Sequence, residues 1–382
     1  MNYKKMLILA SSISFLALTQ ANAFETKAKN AILMDFETGK YIFTKNHQEM
    51  IPPASMSKLM TVYVLLTKIQ EGEVSLDDTF TVSENAWRKG GAASGGSTMF
   101  LKIGQEVKVE DLIKGIIIQS GNDACITVAE NLAGSEEEFA SLLNETAQKI
   151  GLKNANFENS TGLPHPDHRI SVEDLAILAR HIIKEFPDYY HFFKQKEFTF
   201  NDIKQGNRNP LLYNLKGADG LKTGHTDEAG YCLTGSVERG NRRLIEVVTG
   251  LSSNSERSEE TEKLMTWGFA TFDNYTFFNK NQIITEVPVW YGAKKSVQAI
   301  VPQTIKLTIK KSKKHKYSAS ATYNTPITAP VKKGDKIGEL FIKYGDKTVE
   351  KYPLVAKEDI AKMGALSRFI ENIKYFIFDT EN

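Results

Sequence analysis

The stretch IPPASMSKLM, residues 51–60, places Ser55 just after two prolines and Lys58 three residues further on. It opens a longer run, SMSKLMTVYVLLTKIQEG, that ends at Gly72. Apolar residues recur through this run at helical spacing, namely Leu59, Val62, Tyr63, Leu66 and Ile69. Side chains three residues apart share one face of a helix, so Ser55 and Lys58 are expected to meet. The stretch is therefore either an ordinary helix start or a nucleophile with its base.

The second possibility has a clear chemical basis. A serine hydroxyl is a poor nucleophile until a base removes its proton. Lysine can be that base when burial and nearby cations lower its pKa. A backbone N–H at the start of a helix also points outward, where it can stabilise an oxyanion. Taken alone, however, a serine three residues before a lysine is a weak signal.

Two tripeptides later in the chain strengthen it. Ser120-Gly121-Asn122 lies between two helical patterns, and Lys222-Thr223-Gly224 ends an apolar strand. Each alone is an ordinary turn or strand end, although Gly224 would let a substrate backbone approach the strand edge. In the order Ser-x-x-Lys, Ser-x-Asn, Lys-Thr-Gly, the three motifs resemble the set found in penicillin-recognising serine enzymes.

The resemblance extends to longer segments. PPASMSKLMT, RKGGAASGGSTMFL, QSGNDAC, DGLKTGHTDEAGYCL and EKLMTWGF are similar to the serine D-alanyl-D-alanine carboxypeptidases, the low-molecular-mass penicillin-binding proteins. The similarity covers nearly the whole chain after its first residues. The specific motifs lie in the first domain. The second domain resembles the family only in its pattern of short strands separated by Gly, Pro and Asn.

The resemblance implies a role for each motif residue. Ser55 would be the acylated nucleophile and Lys58 its general base, while Ser120 would relay a proton that Lys222 tunes. The same resemblance assigns substrate binding to Asn122, Thr223, Gly224, His225 and Arg257. Among these, Asn122 would hold the peptide backbone, and Thr223 and Arg257 its terminal carboxylate. The backbone N–H groups of Ser55 and His225 would form the oxyanion hole. No metal or organic cofactor is expected.

Composition and the first residues bear on domain count and location. A chain of 382 residues predicts two domains, and 41% hydrophobic with 25% charged residues indicates a globular protein. Residues 1–23 combine Lys4 and Lys5, an apolar run to about Leu18 and an Ala-Asn-Ala end, the pattern of a secretory signal peptide. The mature chain would begin at Phe24, outside the cytoplasm, in a periplasm.

Charge divides the remaining chain into two parts. Residues 24–280 hold 28 Lys and Arg against 36 Asp and Glu, whereas residues 281–382 hold 18 against 10. The resulting net charges of −8 and +8 predict units with different partners, the basic one suited to an anionic surface. We expect a catalytic domain over 24–278, a small β-rich domain over 279–356 and an amphipathic helical tail over 357–382.

The tail is predicted to be helical from Ile360 to Ile377, with one apolar stripe. Such a stripe either packs on the β-rich domain or lies weakly on a membrane. We expect the second arrangement, with the protein peripheral on the outer face of the inner membrane. Cys125 and Cys232 are either joined or buried as free thiols.

The predicted fold class is α/β plus all-β. An antiparallel sheet flanked by helices forms the first domain, and a small β-sandwich-like domain follows, with the C-terminal amphipathic helix last. Helical patterns occupy 110–119, 122–133, 136–150, 171–186 and 256–272, and strands 219–225, 230–237 and 243–250. The glycine-rich segment 90–97 either borders the site or is a surface loop.

The resulting functional prediction is a serine D-Ala-D-Ala carboxypeptidase that trims peptidoglycan stem peptides and binds β-lactams covalently, with no nucleic-acid partner. A D,D-endopeptidase of cross-links is a related alternative. A β-lactamase would need a further carboxylate aimed at a water, for which Glu158 is the candidate. A non-enzymatic wall-binding scaffold is disfavoured because Ser55, Lys58 and Lys222 are all present.

Overall fold

The computed structural model describes residues 24–323 and 325–378. The predicted signal peptide, residues 1–23, and the last four residues of the predicted tail lie outside this range. Two units follow one another along the chain, each with its own hydrophobic core.

The first unit contains short and long strands and eight α-helices within the described residues. Its strands are β1 (Asn30–Asp35), β2 (Tyr41–Lys45), β3 (Met50–Ile51), β4 (Thr79–Thr81), β5 (Glu106–Lys108), β6 (Ala155–Asn156), β7 (Arg169–Ser171), β8 (Glu197–Phe200), β9 (Ile203–Gly206), β10 (Ala218–Thr226), β11 (Gly230–Arg239) and β12 (Arg242–Leu251). Its helices are α1 (Lys58–Gln70), α2 (Glu84–Gly90), α3 (Val109–Lys114), α4 (Asn122–Ala133), α5 (Glu136–Lys149), α6 (Val172–Glu185), α7 (Leu211–Asn214) and α8 (Asn254–Thr271).

A five-stranded antiparallel sheet of order β10-β11-β12-β1-β2 is the frame of this unit. Side chains alternate between its two faces along each strand. On β12, Ile245 and Val247 pack into the large helical core, whereas Leu244 and Val248 pack with α8. The predicted sheet flanked by helices is thus present, and β10, which carries Lys222, is one of its two edge strands.

Helix α1 lies at the centre of the helical core. Every residue from Lys58 to Leu66 is buried, because other elements surround this helix on all sides. The turn before it, Ala54–Ser57, is a 3₁₀ helix that contacts β10 and β11. The N-terminal end of α1 therefore brings Ser55 and Lys58 against the sheet edge.

The helix predicted over 110–119 is only partly correct. Its α-helical part ends at Lys114, and Gly115–Gln119 form a π-helix. A π turn inserts an extra residue and often marks a functional site, because it reorients the residue that follows. Here that residue is Ser120, which has a left-handed backbone with φ of 61°.

Glu246 is a buried acid whose carboxyl has no hydrogen-bond partner among the described residues. Glu246 lies on β12 between Leu33 and Gly235, and neither carboxyl oxygen has a hydrogen-bond partner within the described part of the chain. A Cβ on Gly235 would lie 3.3 Å from the Glu246 carboxyl, so the glycine leaves room for it. Burial raises the pKa of Glu246 well above its ordinary value.

This arrangement makes stability depend on pH. Because its pKa is raised, Glu246 holds its proton more tightly in the folded than in the unfolded state, which ionises it above about pH 4.3, so wild-type stability should fall as pH rises above that value. Glu246→Gln should remove that penalty, gaining up to about 1.4 kcal/mol relative to wild type for each pH unit between the unfolded and the folded pKa of Glu246. Urea unfolding of both proteins between pH 4.5 and 8 measures this, and parallel pH profiles would contradict it.

The second unit is β-rich, as predicted. Its strands are β13 (Phe272–Phe278), β14 (Ile283–Trp290), β15 (Ser296–Ile300), β16 (Ile305–Lys310), β17 (Tyr317–Thr322), β18 (Ile327–Thr328), β19 (Lys336–Tyr344) and β20 (Lys347–Ala356). Six of them form a sheet of order β17-β19-β20-β15-β14-β18, and β13 pairs with β16. Residues 272–278, which form β13, therefore pair with a strand of the second unit.

The terminal helix, α9 (Ala365–Phe378), starts later than predicted. Ile360 does not belong to its apolar stripe. It is buried in the core of the second unit, and its backbone pairs with that of Val331. Ile360 fits the helical period of the tail, but it is apolar because it is buried in the second unit. The period therefore did not indicate a helix at this residue. Within residues 24–323 and 325–378, every helix is too short or too polar to span a bilayer. Cys125 and Cys232 are both buried free thiols.

Candidate active site

Ser55 is presented by a constrained turn. Pro52 and Pro53 precede Ala54, which has a left-handed backbone with φ of 48°. Such a conformation is unfavourable for a residue other than glycine and is maintained only where the surroundings enforce it. The Met56 N–H donates to the Pro53 carbonyl at 3.2 Å, which closes the turn. Ser55 thus lies on a 3₁₀ turn directly before α1.

Lys58 is the buried cation of the site. Its side chain is 1% exposed, and its Nζ donates to Ser55 Oγ at 2.9 Å, to Asn122 Oδ1 at 2.8 Å and to the Thr161 carbonyl at 2.5 Å. Burial lowers the pKa of Lys58 to about 8, and the positive charge of Arg208 adds to the effect. The predicted pair of nucleophile and base is therefore in hydrogen-bond contact.

The second motif comes from the segment after the π-helix. Ser120 is buried and lines the same cleft as Ser55. Asn122 is the first residue of α4, and its N–H donates to the Ser97 carbonyl at 2.8 Å. A Cβ on Gly96 would lie 2.8 Å from Asn122 Nδ2. The glycine-rich segment 90–97 therefore borders the site, which was one of its two predicted positions.

The third motif lies on β10. Lys222 is buried, and its Nζ donates to the Thr223 carbonyl at 3.0 Å. Burial lowers the pKa of Lys222 well below its ordinary value, and the charges of Lys58 and Arg208 act in the same direction. Thr223 faces the cleft.

The structure shows a packing reason for a glycine at position 224, in addition to the predicted approach of a substrate backbone. A Cβ there would lie 3.0 Å from the Pro53 carbonyl and 3.1 Å from Ala54 Cβ. The glycine thus lets β10 pack against the turn that carries Ser55. The backbone of Gly224 also lines the cleft, where a substrate would pass.

The three motifs surround a cleft of about 340 Å³. Its lining consists of polar, cationic and aromatic residues: Ser55, Ser97, Ser120, Arg208, Thr223, Gly224, His225, Tyr231, Asn254 and Arg257. Besides the tyrosine, eight of these residues carry a hydroxyl, amide, imidazole or guanidinium that can form a hydrogen bond with a peptide. Such a cleft fits a short, anionic peptide end better than an apolar ligand.

Arg257 is the buried cation at one side of this cleft. It lies in the first turn of α8, donates to the carbonyls of Cys232 and Arg208 at 3.4 and 3.3 Å, and contacts Asn254 Oδ1. Its Nε has no hydrogen-bond partner within the described residues. Burial lowers the pKa of Arg257 to about 10, so it stays charged at neutral pH.

His225 lies outside the group of buried polar residues. Its imidazole is exposed and contacts the Tyr231 ring at a centroid distance of 4.0 Å. This position agrees with a role through its backbone and gives no support for a catalytic imidazole. Glu158, the candidate for a β-lactamase water, accepts from Asn156 Nδ2 at 2.7 Å and is not among the described residues that line the cleft.

Several cleft residues carry no sequence signal. Arg208 donates to Ser97 Oγ at 2.6 Å and thereby joins the segment before α7 to the glycine-rich segment. Asn254 and Tyr231 line the cleft, and Thr161 contributes only a carbonyl. Arg208 could have been suspected only as a cation between the second and third motifs, which many surface arginines also are.

Each of the two units matches the profile of a known protein family. The profile of the D-alanyl-D-alanine carboxypeptidase family matches residues 17–253, and that of the penicillin-binding protein 5 C-terminal domain matches residues 272–362. The chain is 40% identical to D-alanyl-D-alanine carboxypeptidase DacC of Escherichia coli over 95% of its own length and 91% of the relative. It is 37% identical to DacA of the same organism, over 91% and 87%.

A solved structure shows the same architecture. Penicillin-binding protein 5 from Haemophilus influenzae superimposes with a TM-score of 0.82 at 35% identity, covering 89% of this chain and 99% of that one. The predicted fold class, with a penicillin-recognising first domain and a β-rich second domain, is confirmed. The chain is therefore a serine carboxypeptidase that belongs to the D-alanyl-D-alanine carboxypeptidase family of penicillin-binding proteins.

Proposed function

We propose that this enzyme removes the terminal D-alanine from peptidoglycan stem pentapeptides through an acyl-enzyme on Ser55. The observation that carries the proposal is the contact of 2.9 Å between Lys58 Nζ and Ser55 Oγ, inside a cleft that also holds Thr223 and Arg257. This arrangement offers a nucleophile, a base and a cationic partner for a free carboxylate, the three groups that cleavage next to a carboxylate requires.

The reaction begins with proton transfer. With a pKa of about 8, about one Lys58 amine in ten is neutral at pH 7 and able to accept a proton. Neutral Lys58 takes the proton of Ser55 Oγ, which attacks the carbonyl between the two D-alanines. The backbone N–H groups of Ser55 and His225 stabilise the oxyanion.

Collapse of the intermediate breaks the peptide bond. The proton that Lys58 took from Ser55 passes through the Ser120 hydroxyl, in a relay that the charge of Lys222 tunes, to the leaving nitrogen, and D-alanine departs. Water then attacks the ester on Ser55, which regenerates the hydroxyl and releases the shortened peptide. Asn122 holds the peptide backbone once Lys58 no longer occupies its amide oxygen.

An intact-mass time course with benzylpenicillin, combined with D-alanine release from a pentapeptide, tests the proposal. A persistent one-drug adduct on Ser55 with release of D-alanine supports it. Continuous loss of drug through a transient adduct indicates a β-lactamase instead. Cleavage of cross-linked dimers in preference to pentapeptides indicates the D,D-endopeptidase alternative, and absence of both adduct and product refutes the proposal.

The carboxylate partner gives a separate prediction. Arg257→Gln should lower kcat/KM for a peptide ending in free D-Ala-D-Ala by about 10- to 100-fold, because a charge-assisted hydrogen bond contributes roughly 1.5–3 kcal/mol. The same peptide with a C-terminal amide lacks that charge, so its turnover should change little. Arg239→Gln, on the far end of β11, serves as the control. Equal losses on both peptides would show that Arg257 acts only in folding.

We also propose that the enzyme works in a periplasm, at the outer face of the inner membrane. The signal peptide predicted over residues 1–23 would export it. On α9 the apolar side chains of Leu366, Phe369, Ile370 and Ile373 are exposed, the first two by 75% and 62%. Such a face suits weak binding in a membrane interface. Cosedimentation of the chain from Phe24 with anionic phospholipid vesicles measures this binding, and a chain that stays in the supernatant refutes it.

A further inference from the structure

A buried imidazole lies behind the turn that presents Ser55. His168 is 2% exposed, and its Nε2 lies 2.7 Å from Ser57 Oγ. The Glu158 N–H donates to His168 Nδ1 at 3.2 Å, so Nδ1 must be the unprotonated nitrogen. The ring is then neutral with its proton on Nε2, which donates to Ser57. The reaction described above does not use this histidine.

His168 ends a segment that we call the base-contacting loop, residues 157–168. Besides the Ser57 contact, two bonds join this loop to the start of α1. The Thr61 hydroxyl donates to the Ser160 carbonyl at 2.6 Å, and Lys58 Nζ donates to the Thr161 carbonyl. The loop therefore supplies one of the three acceptors that hold the general base.

The loop and the nucleophile turn are packed without spare space. Gly162 has φ of 77°, and a Cβ there would lie 1.9 Å from the Ala54 carbonyl oxygen and 3.0 Å from Ser57 Cβ. Ala54 is the residue whose left-handed backbone directs Ser55 into the cleft. A small displacement between loop and turn would therefore disturb Ala54 and Ser55 together.

We infer that His168 is a positioning residue for acylation, which fixes the base-contacting loop to the nucleophile turn through Ser57. This inference rests on the proposed function. Lys58 Nζ lies between Ser55 Oγ, on the turn, and the Thr161 carbonyl, on the loop. If the two segments separate, the ammonium cannot keep both contacts, and a misplacement of about 1 Å at a reacting centre can lower a rate about a hundredfold.

The charges around His168 favour its neutral form. Lys58 on α1, and His165 and Arg169 next to the ring, act together with burial to lower the pKa of His168 to about 4, burial being the largest cause. The acids on this side are Glu158 and Asp167 of the same loop, Glu228 of the β10–β11 turn, and Glu136 of α5, which accepts from Ser160. A neutral ring over the working pH range keeps the bond to Ser57 in one tautomer.

The test compares acylation rates of the full mature chain with benzylpenicillin, measured by intact mass from pH 6 to 10. The variants are Ser57→Ala, His168→Ala, their combination and His168→Gln, whose Nε2 amide can still donate to Ser57. Ser236→Ala is the matched control, because Ser236 is equally buried and its hydroxyl accepts from Arg243 at 2.6 Å outside the cleft. Thermal unfolding of each variant is recorded in parallel.

We expect Ser57→Ala and His168→Ala each to acylate about 10- to 100-fold more slowly, with a shifted midpoint of the pH profile. The double variant should be no slower than either single one, since both remove the same bond. His168→Gln should recover most of the rate, and Ser236→Ala should match wild type.

Wild-type rates and pH midpoints in folded Ser57→Ala and His168→Ala would overturn the inference, as would a His168→Gln rate as low as that of His168→Ala. If His168→Ala does not fold, Ser57→Ala decides: a slowed, shifted profile supports the inference and an unchanged one overturns it. A wild-type chain that is never acylated would refute the proposed function itself, and the inference with it.

Discussion

Ser55→Ala is expected to abolish both the benzylpenicillin adduct and D-alanine release, lowering turnover by roughly ten thousandfold or more. The reason is that the hydroxyl is the atom that forms the covalent bond, so no rearrangement of the remaining groups replaces it. The rest of the cleft, including Arg257 and Thr223, does not depend on that hydroxyl for its contacts. The variant should therefore still bind the peptide without cleaving it.

Intact mass and a D-alanine assay measure the loss of the adduct and of turnover. Calorimetric titration with the uncleaved peptide measures the retained binding. Ser236→Ala, a buried serine outside the cleft, is the control for removing a hydroxyl. A covalent adduct that persists in the Ser55→Ala protein would show another nucleophile, and peptide mapping would then have to examine Ser120 first because it lines the same cleft.

Lys58→Met should reduce acylation by at least about a thousandfold at pH 8. Methionine keeps much of the length of lysine but cannot accept the Ser55 proton, and general-base catalysis typically contributes about 10²–10⁴-fold. The change also leaves Asn122 Oδ1 and the Thr161 carbonyl without the donor they now share. Both effects act on the same step, so the loss should exceed that of any variant of the base-contacting loop.

The pH dependence of acylation identifies the base. Lys58 must be neutral to accept a proton, so the wild-type rate should rise with pH and level off above about 8, the pKa of Lys58. In Lys58→Met this rise should disappear. Lys68→Met, at the exposed end of the same helix, is the control because its Nζ contacts only Glu71 and Glu73 in the described structure. A rise that survives in Lys58→Met would assign the proton to a different group.

Local sequence predicted much of the fold. The apolar period of α1, the helical pattern of α6 and the strand patterns of β11 and β12 are properties of neighbouring residues, which fix helix or strand where they occur. The prediction of secondary structure failed where contacts with residues distant in the chain, and not the apolar period, decide the local conformation. Ile360 is apolar because it bridges to Val331 in the second unit, and the segment after Lys114 departs from the α-helix before Ser120.

The candidate site shows the same division. The motifs at Ser55, Ser120 and Lys222 could be recognised because the chemistry requires those residue types in that order. The packing reason for Gly224 could not be predicted, because the neighbour that demands a glycine is the turn at Pro53 and Ala54, 170 residues earlier in the chain.

The sequence alone determined that Ser55 and Lys58 share one helical face, since three residues of covalent chain permit little else. Only the tertiary structure decided that Lys58 is buried with a pKa near 8, that Arg208 and Arg257 face one cleft, and that the Glu246 carboxyl has no hydrogen-bond partner among the described residues. Burial and charge depend on groups brought together from distant parts of the chain, and no local pattern encodes those encounters.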